Sequence, residues 1–420
     1  MIFPQLIFVG MMMEYKLEEL FDLQMGKTPS RNNPEYWNSA DHKWISIGDL
    51  SKCGKYITET KEFLSDKAVE KSGISLIPEN TVVMSFKLSI GKTAITPEPM
   101  YSNEAIMSFR DKHLVELMPD YLYYLLSGKD WDVGTNKAVM GKTLNKATLS
   151  KVKVKIHDIS EQHNIVQVLD RVKAVIDARQ LELQRLDELI KARFVEMFGD
   201  EKNQMVMSDV CSIITDGTHQ PPKFKDEGIP FIFVSNITGD KVTYDAEKFI
   251  DQDTYDELIK RTPIEIGDVL LSTVGSYGHP AVVKSDKKFL FQRHIAYLKP
   301  RREIVDSDYL HGAILSPDAQ GQIERGVKGI AQKTLNLSEI KKMMIPLPAM
   351  DKQKQFSSFV AQVDKSKVIK EFNQIIIINS GVREICQISI FYIRKKNMTF
   401  LLPLQSRQRG CMLQHLLCAQ

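Results

Sequence analysis

The stretch WISIGDLS at residues 44–51 decides the fold, because a second version of it, FIFVSNIT, stands at residues 231–238. Each copy is far longer than a solenoid repeat and long enough to bury its own core. A chain built twice from one unit is expected to present two related binding surfaces. Further pairs follow in the same order: TVVMS (81–85) with DVLLS (268–272), PDYLYYLLS (119–127) with SDYLHGAILS (307–316), and GKTLNKATLSKVKVKI (141–156) with QKTLNLSEIKKMMIPL (332–347).

Composition is that of an ordinary globular protein. The 420 residues predict two or three domains, and 43% apolar with 26% charged residues is typical of a folded, soluble chain. The net charge of +3 neither requires nor excludes a polyanionic partner, because DNA binding needs local basic faces. Five cysteines without CxxC spacing argue against a disulfide framework or a zinc site, so a cytoplasmic location is expected.

The N-terminal residues, MIFPQLIFVGMMM (1–13), are apolar but lack the basic region and the small-residue cleavage site of a signal peptide. We interpret residues 1–13 as an extension that precedes the true start at Met11, Met12 or Met13. No run approaches the roughly 20 apolar residues that span a bilayer, so no membrane association is expected.

Each copy predicts a small domain of mixed secondary structure. A short helix-like segment opens each one, at residues 18–23 and 208–214, and a polar loop rich in glycine and proline follows. Short β-rich runs such as TVVMSF and DVLLSTV come next. The predicted class is α+β, with two repeated mixed α/β domains at residues 14–155 and 204–346.

Residues 156–203 contain the clearest element, a central helix predicted from Ser160 as N-cap to Phe198, before Gly199. Its apolar residues recur at spacings of three and four, which predicts a coiled-coil seam against another helix. At about 1.5 Å per residue the helix would be roughly 58 Å long. The alternative is an ordinary long core helix. The seam residues are Ile165, Leu169, Val172, Ile176, Leu183, Leu186 and Ile190.

The expected partner is a second helix at residues 347–373, with packing positions Phe356, Val360 and Val363. After it the heptad pattern is lost, and residues 374–420 resemble neither copy. We interpret 374–420 as an atypical tail in which a frameshift has replaced the rest of the second helix; the alternative is a genuine divergent tail. An out-of-frame heptad segment in the downstream nucleotide sequence would distinguish the two.

Motifs of common catalytic sites are absent from the sequence. There is no [DN]PP[YF] strand end of an adenine methyltransferase, and no GxGxxG, GxxxxGK[ST], HExxH or GxSxG. Asp318, Glu339 and Lys341 have the outline of a metal-dependent nuclease site. The alternative for these three residues is exposed helix and linker charge. We expect neither a catalytic nor a metal site in this chain.

Polar and basic side chains lie near glycines at matching places in both copies. Hydroxyls and lysines beside glycines can approach phosphates, whereas Gln, Asn, His and Arg can read base edges. Taken singly, each is better explained as a solvated loop residue, but their recurrence in both copies strengthens the case for DNA contacts. The candidate DNA-binding residues are Lys27, Thr28, Ser30, Arg31, Ser85, Lys87 and Lys92 in the first copy, and Thr218, His219, Gln220, Lys223, Lys225, Ser272, Thr273, Ser276, Tyr277 and His279 in the second.

The strings TDGTHQPP, GIPFIFVSNI, GDVLLSTVGSYG and KGIAQKTLNLSEIKKMMIPLP of the second copy, with GKTPSRNNPEYW, SFKLSIGKTAI and YSNEAI of the first, resemble the specificity subunit of type I restriction–modification enzymes. The resemblance begins at residue 14 and ends before the atypical tail. It implies a non-catalytic subunit of a bacterial defence system. Each domain would be a target recognition domain that reads one half of a split target in double-stranded DNA.

The resemblance also implies partners. The two conserved helices would pair antiparallel, hold the domains apart and dock the modification subunits, of which two are expected. Those subunits would methylate adenine with S-adenosylmethionine, and a restriction subunit would use ATP and Mg²⁺ to cut DNA; this chain itself is expected to hold no cofactor. The alternatives are a standalone coiled-coil DNA-binding or adaptor protein and a metal-dependent nuclease. Methylation that requires a partner, DNA binding without one, and metal-dependent cleavage distinguish the three.

Overall fold

The structure, a computed structural model, describes residues 12–87, 89–131, 144–329 and 333–367. Most of the N-terminal extension, the end of the second conserved helix and the atypical tail lie outside these residues, so the expectations for them stay predictions. Of the described residues, those up to Ile176 belong to one compact unit and those from Asp177 to a second. The division falls inside a single long helix.

The first unit alternates short strands with short helices. Its strands are β1 (Met13–Lys16), β2 (Phe21–Met25), β3 (His42–Ile45), β4 (Glu62–Leu64), β5 (Val82–Ser85), β6 (Thr93–Ile95), β7 (Tyr101–Ser102), β8 (Ile106–Asp111) and β9 (Lys153–Ile156). Its helices are α1 (Leu17–Leu20), α2 (Ile47–Leu50), α3 (Asp66–Ser72), α4 (Pro119–Ser127), α5 (Lys146–Ser150) and the first part of α6 (Ile159–Phe198), with a 3₁₀ turn at Pro34–Tyr36.

A four-stranded antiparallel sheet, in the order β2-β8-β5-β6, forms the centre of the first unit. Successive side chains of a strand point to opposite faces, so Val82 and Met84 belong to one apolar core and Val83 to another. Both faces of β5 are therefore covered, which explains its unbroken apolar run. A three-stranded sheet has the order β4-β3-β7, and β1 pairs with β9.

The second unit repeats this alternation. Its strands are β10 (Gln204–Val206), β11 (Cys211–Asp216), β12 (Ile229–Ile232), β13 (Phe249–Ile250), β14 (Val269–Ser272), β15 (Pro280–Val282), β16 (Leu290–Phe291), β17 (Ile295–Pro300), β18 (Val327–Lys328), β19 (Thr334–Leu335) and β20 (Met344–Pro346). Its helices are the end of α6, α7 (Met207–Val210), α8 (Gln252–Leu258), α9 (Ser307–Leu315), α10 (Pro317–Gly326), α11 (Leu337–Lys342) and α12 (350–367), with a 3₁₀ turn at Val234–Asn236.

The internal repeat extends to strand order. The four-stranded sheet β11-β17-β14-β15 matches β2-β8-β5-β6, and the three-stranded sheet β13-β12-β16 matches β4-β3-β7. In both three-stranded sheets one pair is parallel, β12 with β16 and β3 with β7. The predicted α+β class with two repeated mixed units is therefore confirmed.

The opening segments of the two units differ from the prediction of helix-like runs at 18–23 and 208–214. Only Leu17–Leu20 and Met207–Val210 are helical, and the residues after them form strands β2 and β11. The prediction was wrong for these later residues because pairing with the long strands β8 and β17 overrides their local pattern.

Helix α6 begins one residue earlier than predicted, and Ser160 is not its N-cap. The carboxylate of Asp158 accepts hydrogen bonds from the backbone N–H of Glu161 (3.0 Å) and from the Ser160 hydroxyl (2.7 Å). A carboxylate there satisfies a free N–H and interacts favourably with the helix dipole. The helix then continues for 40 residues to Phe198.

None of the helices in the described part of the chain combines the length and the apolar character needed to cross a membrane.

The seam positions of α6 enter two different cores. Ile165 is buried in the main core of the first unit and Leu169 packs against it, whereas Ile190 packs against the main core of the second unit. The N-terminal part of the seam therefore packs in the first unit and the C-terminal part packs in the second. The positions between these ends are half-buried: Val172, Ile176, Leu183 and Leu186.

The predicted antiparallel helix pair is present in the second unit. Lys367 of α12 forms an ion pair with Asp187 of α6 (2.7 Å), and Phe356, eleven residues earlier in α12, stacks edge-to-face on Phe194 (5.3 Å between ring centroids). One helix therefore runs opposite to the other. The expected packing positions of α12 are buried: Phe356, Val360 and Val363.

A buried glutamine ties each unit to the helix that follows its domain. The Gln162 amide oxygen accepts from the N–H of Met118 (2.9 Å), and its nitrogen donates to the carbonyls of Glu116 and His157 (2.9 Å each). Gln353 repeats this pattern in the second unit, with the N–H of Asp306 (2.9 Å) and the carbonyls of Ile304 and Pro348. Both side chains are almost fully buried.

Replacing Gln162 by leucine should destabilise the first unit by roughly 2–4 kcal/mol, because one N–H and two carbonyls lose the buried amide that they bond to. Urea unfolding followed by tryptophan fluorescence measures this, since Trp37, Trp44 and Trp131 all lie in the first unit. Gln167→Leu on the exposed side of α6 is the matched control and should cost less than about 0.5 kcal/mol. Equal losses for the two variants would contradict the assignment.

Candidate nucleic-acid interface

Three loops of the first unit meet at one end of its four-stranded sheet. They follow β2, β5 and β7, and we call them the first loop cluster. The N–H of Lys27 donates to the carbonyl of Ser102 (2.8 Å), and the N–H of Phe86 donates to the carbonyl of Ala105 (3.0 Å). These bonds place parts of the chain that are far apart in sequence side by side.

The second unit contains the same arrangement after β11, β14 and β16, the second loop cluster. The N–H of Thr218 donates to the carbonyl of Phe291 (3.0 Å), and the N–H of Thr273 donates to that of His294 (2.9 Å). Because the bonds match pairwise, Lys27 corresponds to Thr218. The repeat is therefore preserved at the level of individual backbone hydrogen bonds.

The glycine at the start of each cluster is required by a close approach of two backbones. A Cβ atom on Gly26 would lie 2.1 Å from the carbonyl oxygen of Ser102, and one on Gly217 would lie 2.3 Å from that of Phe291. Any larger residue would separate the loops. This explains the glycine in the strings GKT and DGT.

Ser85 and Ser272, both predicted to contact DNA, are instead fully buried and hold the loops together. The Ser85 hydroxyl accepts from the N–H of Lys92 (3.1 Å), and the Ser272 hydroxyl accepts from the N–H of His279 (2.9 Å). Thr273 is 4% exposed. Its N–H donates to the carbonyl of His294 (2.9 Å), and its carbonyl accepts from the N–H of Leu335 (2.8 Å). Burial removes these three residues from the set that can contact a duplex directly.

The remaining predicted residues of the first cluster are accessible to different degrees. Lys27 and Lys92 are exposed, and the Lys27 ammonium donates to the carbonyl of Ser72. Lys87 is half-buried, with its ammonium 5.3 Å from the centre of the Phe86 ring. The first cluster therefore offers basic groups that can reach phosphates.

The Arg31 guanidinium packs against aromatic rings, although its charge still acts on Glu104 of the first cluster. The guanidinium stacks on Trp37, 3.7 Å from the ring centre, and forms an ion pair with Glu62 of β4. The carbonyl of Ser30 accepts from the Trp37 indole N–H (3.1 Å), so this part of the loop lies on the three-stranded sheet. Of the candidate residues in this loop, Lys27 and Thr28 bond to the loop after β7, whereas Ser30 and Arg31 contact Trp37.

Several predicted residues of the second unit already have side-chain partners. His219 pairs with Asp216 (2.9 Å), and Asp216 also binds Arg261. The Tyr277 hydroxyl donates to Glu324, which also pairs with a lysine, and His279 lies 3.9 Å from Asp240. These contacts orient the side chains but leave much of their surface exposed.

The other predicted residues of the second unit divide between two places. Lys225 pairs with Asp251 (3.5 Å) and bonds through its backbone to Phe249, so it lies at the three-stranded sheet, as Arg31 does in the first unit. The side chains that remain exposed in the loops are Gln220, Lys223 and Ser276. Thr218 is half-buried.

Sequence reasoning missed one position of each cluster, Glu104 in the loop after β7 and Arg293 in the loop after β16. The sequence contains an indication of both positions, because YSNEAI and LFQRHI occupy the same place in the two copies. When the copies are aligned, the glutamate corresponds to the arginine. The Glu104 carboxylate accepts a hydrogen bond from the Thr28 hydroxyl, and this bond lowers the pKa of Glu104. Among the described residues, Arg293 has no carboxylate partner.

The residues with the outline of a nuclease do not form a metal site. Asp318 accepts from the Gln322 side-chain amide (2.9 Å), and Glu339 pairs with Lys342 (3.7 Å). In the part of the chain that the structure describes, no group of three or more His, Cys, Asp or Glu side chains could hold a metal ion. The geometry therefore gives no support to the nuclease alternative.

Comparison with known proteins matches most of the chain. A family model described as "Type I restriction modification DNA specificity domain" matches twice, at residues 10–188 and 200–379. The MjaIX specificity subunit of Methanocaldococcus jannaschii is 23% identical over 396 residues, covering 86% of this chain and 89% of that protein. The EcoBI specificity subunit of Escherichia coli is 22% identical over 325 residues, covering 68% of each.

A solved structure of the type I restriction–modification S subunit from M. genitalium aligns with 90% of this chain and 96% of that chain, at 11% identity and a TM-score of 0.46.

Proposed function

The chain belongs to the type I restriction–modification DNA specificity family, and we propose that its two units read the two halves of a bipartite DNA target. As a specificity subunit it is the DNA-recognition component of a complex whose methyltransferase and restriction subunits modify and cut DNA. The chemistry, with its S-adenosylmethionine, ATP and Mg²⁺, belongs in this proposal to those subunits. This chain supplies the sequence preference.

The observation that carries the proposal is one backbone framework with two sets of side chains. Matching hydrogen bonds build both loop clusters, yet the side chains at equivalent positions differ. Lys27 corresponds to Thr218, Lys92 to His279 and Glu104 to Arg293. A repeated scaffold with unlike polar side chains can present one binding mode to two different sequences, because base edges are distinguished by donor and acceptor patterns.

We further propose that the helix pair is the docking surface for two modification subunits, one for each repeat. The outer side of α6 supports this, since Leu181, Leu189 and Val195 are each close to half exposed. Apolar side chains on an exposed helix face are typical of contacts with another protein chain. Cytoplasmic location is part of the same proposal.

The test is adenine methylation in a host that carries this gene, its candidate methyltransferase gene, both or neither. The proposal expects new methylated sites only when both genes are present. Methylation by the methyltransferase alone at the same sites, or DNA modification by this purified chain, would contradict it.

DNA binding by the assembled complex should weaken steeply with salt, because phosphate contacts release counterions. If about 6–10 phosphates are contacted, raising the salt from about 50 to about 200 mM lowers affinity by roughly 10³–10⁵-fold. Lys92→Gln should reduce the slope of log K against log salt by about 0.9. Lys71→Gln on α3, exposed and paired with Glu70, is the control and should leave the slope unchanged. A salt-independent affinity would contradict the interface.

A further inference from the structure

We propose that Arg293 reads a guanine in the half-site of the second unit, and that Glu104 at the same position of the first unit selects a base with an amino group. This inference rests on the proposed function and adds to it the residues that make the two half-sites differ.

The two residues are equivalent by their backbone contacts. The residue before Glu104, Asn103, donates its N–H to Ile45 (3.0 Å), and the residue before Arg293, Gln292, donates to Ile232 (3.3 Å). Each loop then closes onto the next strand through a bond from Ile106 to Asn103 (3.2 Å) or from Ile295 to Gln292 (3.1 Å). The two side chains therefore leave the same point of one scaffold with opposite charge.

Arg293 is exposed and available for a ligand. The acidic residue in the lining of its cleft, Asp216, is occupied by His219 and Arg261. The backbone N–H of Arg293 donates to the carbonyl of Thr218 (3.1 Å). This bond fixes the loop at Arg293 and does not involve the charge of the guanidinium. Within the described part of the chain Arg293 has no carboxylate partner, so its guanidinium on this anchored loop is suited to a hydrogen-bonded ligand.

The cleft beside Arg293 has the size and polarity for a base edge. Its volume is about 260 Å³. Its polar lining can donate and accept hydrogen bonds, and burial together with the neighbouring arginine lowers the pKa of His294, so this imidazole is neutral near pH 7. The guanidinium fork matches the O6 and N7 acceptors of guanine in a bidentate pair. The polar residues of this lining are Asp216, Thr273, Arg293, His294, Thr334 and Asn336.

Glu104 presents the opposite chemistry. Its carboxylate is held by the Thr28 hydroxyl, with Lys87 and Arg31 as neighbouring charges that also favour the ionised form. An ionised carboxylate accepts hydrogen bonds only, so it favours the exposed amino group of cytosine or adenine and disfavours guanine O6. The same loop position thus gives opposite preferences in the two units.

The test maps methylated adenines in hosts that carry the methyltransferase gene with wild-type, Arg293→Gln or Arg293→Lys chains. Both variants should lower the specificity at one guanine position in one half of the motif. Discrimination against other bases at that position should fall about 5- to 150-fold, while the other half of the motif stays unchanged. Arg293→Lys keeps the positive charge, so a phosphate contact would survive in it. Glu104→Gln should lower the base specificity at one position in the opposite half of the motif.

Lys223→Gln is the comparison for a phosphate contact, because Lys223 is an exposed lysine of the same unit. It should lower methylation at all sites alike and leave the motif intact. If Arg293→Gln behaves in this way, or if the motif contains no guanine in the half that responds to the second unit, the inference is overturned. A wild-type chain that directs no methylation at all would overturn the proposed function instead, and the inference with it.

Discussion

Truncating Phe356 to alanine should lower the unfolding free energy of the second unit by about 3–5 kcal/mol. Phe356 is fully buried, and its ring contacts those of Phe194, Phe198 and Tyr309 at centroid distances of 5.3, 5.8 and 6.2 Å. Gly312 leaves the space that the ring fills, since a Cβ there would lie 2.5 Å from the Phe356 ring. The truncation would open a cavity among rigid rings that cannot collapse onto it.

Hydrogen exchange is the suitable measurement, because all three tryptophans lie in the first unit and do not report on the second. Peptides from α9 and α12 should lose protection in the Phe356→Ala chain. The matched control is Phe359→Ala, one turn along the same helix, where the side chain is half-exposed and should cost about 1 kcal/mol. Similar losses of protection for both variants would contradict the packing described.

Replacing residues 204–346 with the corresponding domain of a relative whose target is known should change one half of the methylated motif completely and leave the other half intact. The structure favours this exchange, because Gln204 pairs with Pro346 across β10 and β20, so the two junctions lie side by side. Gln353 outside the exchanged segment binds only backbone groups of the domain, which any donor domain provides.

The control exchange is residues 14–155, whose ends meet in the pair of β1 with β9. It should change the opposite half of the motif. If either exchange alters both halves, the two units do not read DNA separately.

The fold could be predicted from the sequence to a large extent because the repeat is visible in short apolar strings. TVVMS forms a strand in the first unit and DVLLS forms the equivalent strand in the second. The similarity of the two strings therefore predicts the duplicated architecture. Strand order could not be predicted, since β2 and β11 each pair with a strand far along the chain. Such pairing is determined by tertiary contacts rather than by local pattern.

The candidate site could be predicted less well, because loop residue type does not reveal side-chain direction. Ser85 and Ser272 stand a few residues before a glycine in polar loops, but their hydroxyls bond to their own loops. Gln162 is a polar residue near the start of a long helix, and nothing in the sequence indicates that it is buried and fully hydrogen-bonded. For the two serines the deciding partner is a backbone group of the same loop, and for Gln162 it is a backbone group from a distant part of the chain. No residue pattern displays either kind of bond.

The most direct test of two separate DNA-reading units is the form of the motif that this chain directs. Methylated adenines should be mapped across the genome of a host that expresses the chain with its methyltransferase subunit. If the two units read DNA separately, the motif consists of two specified segments separated by a spacer of fixed length and unspecified sequence. A single continuous motif, or methylation without sequence preference, would contradict it.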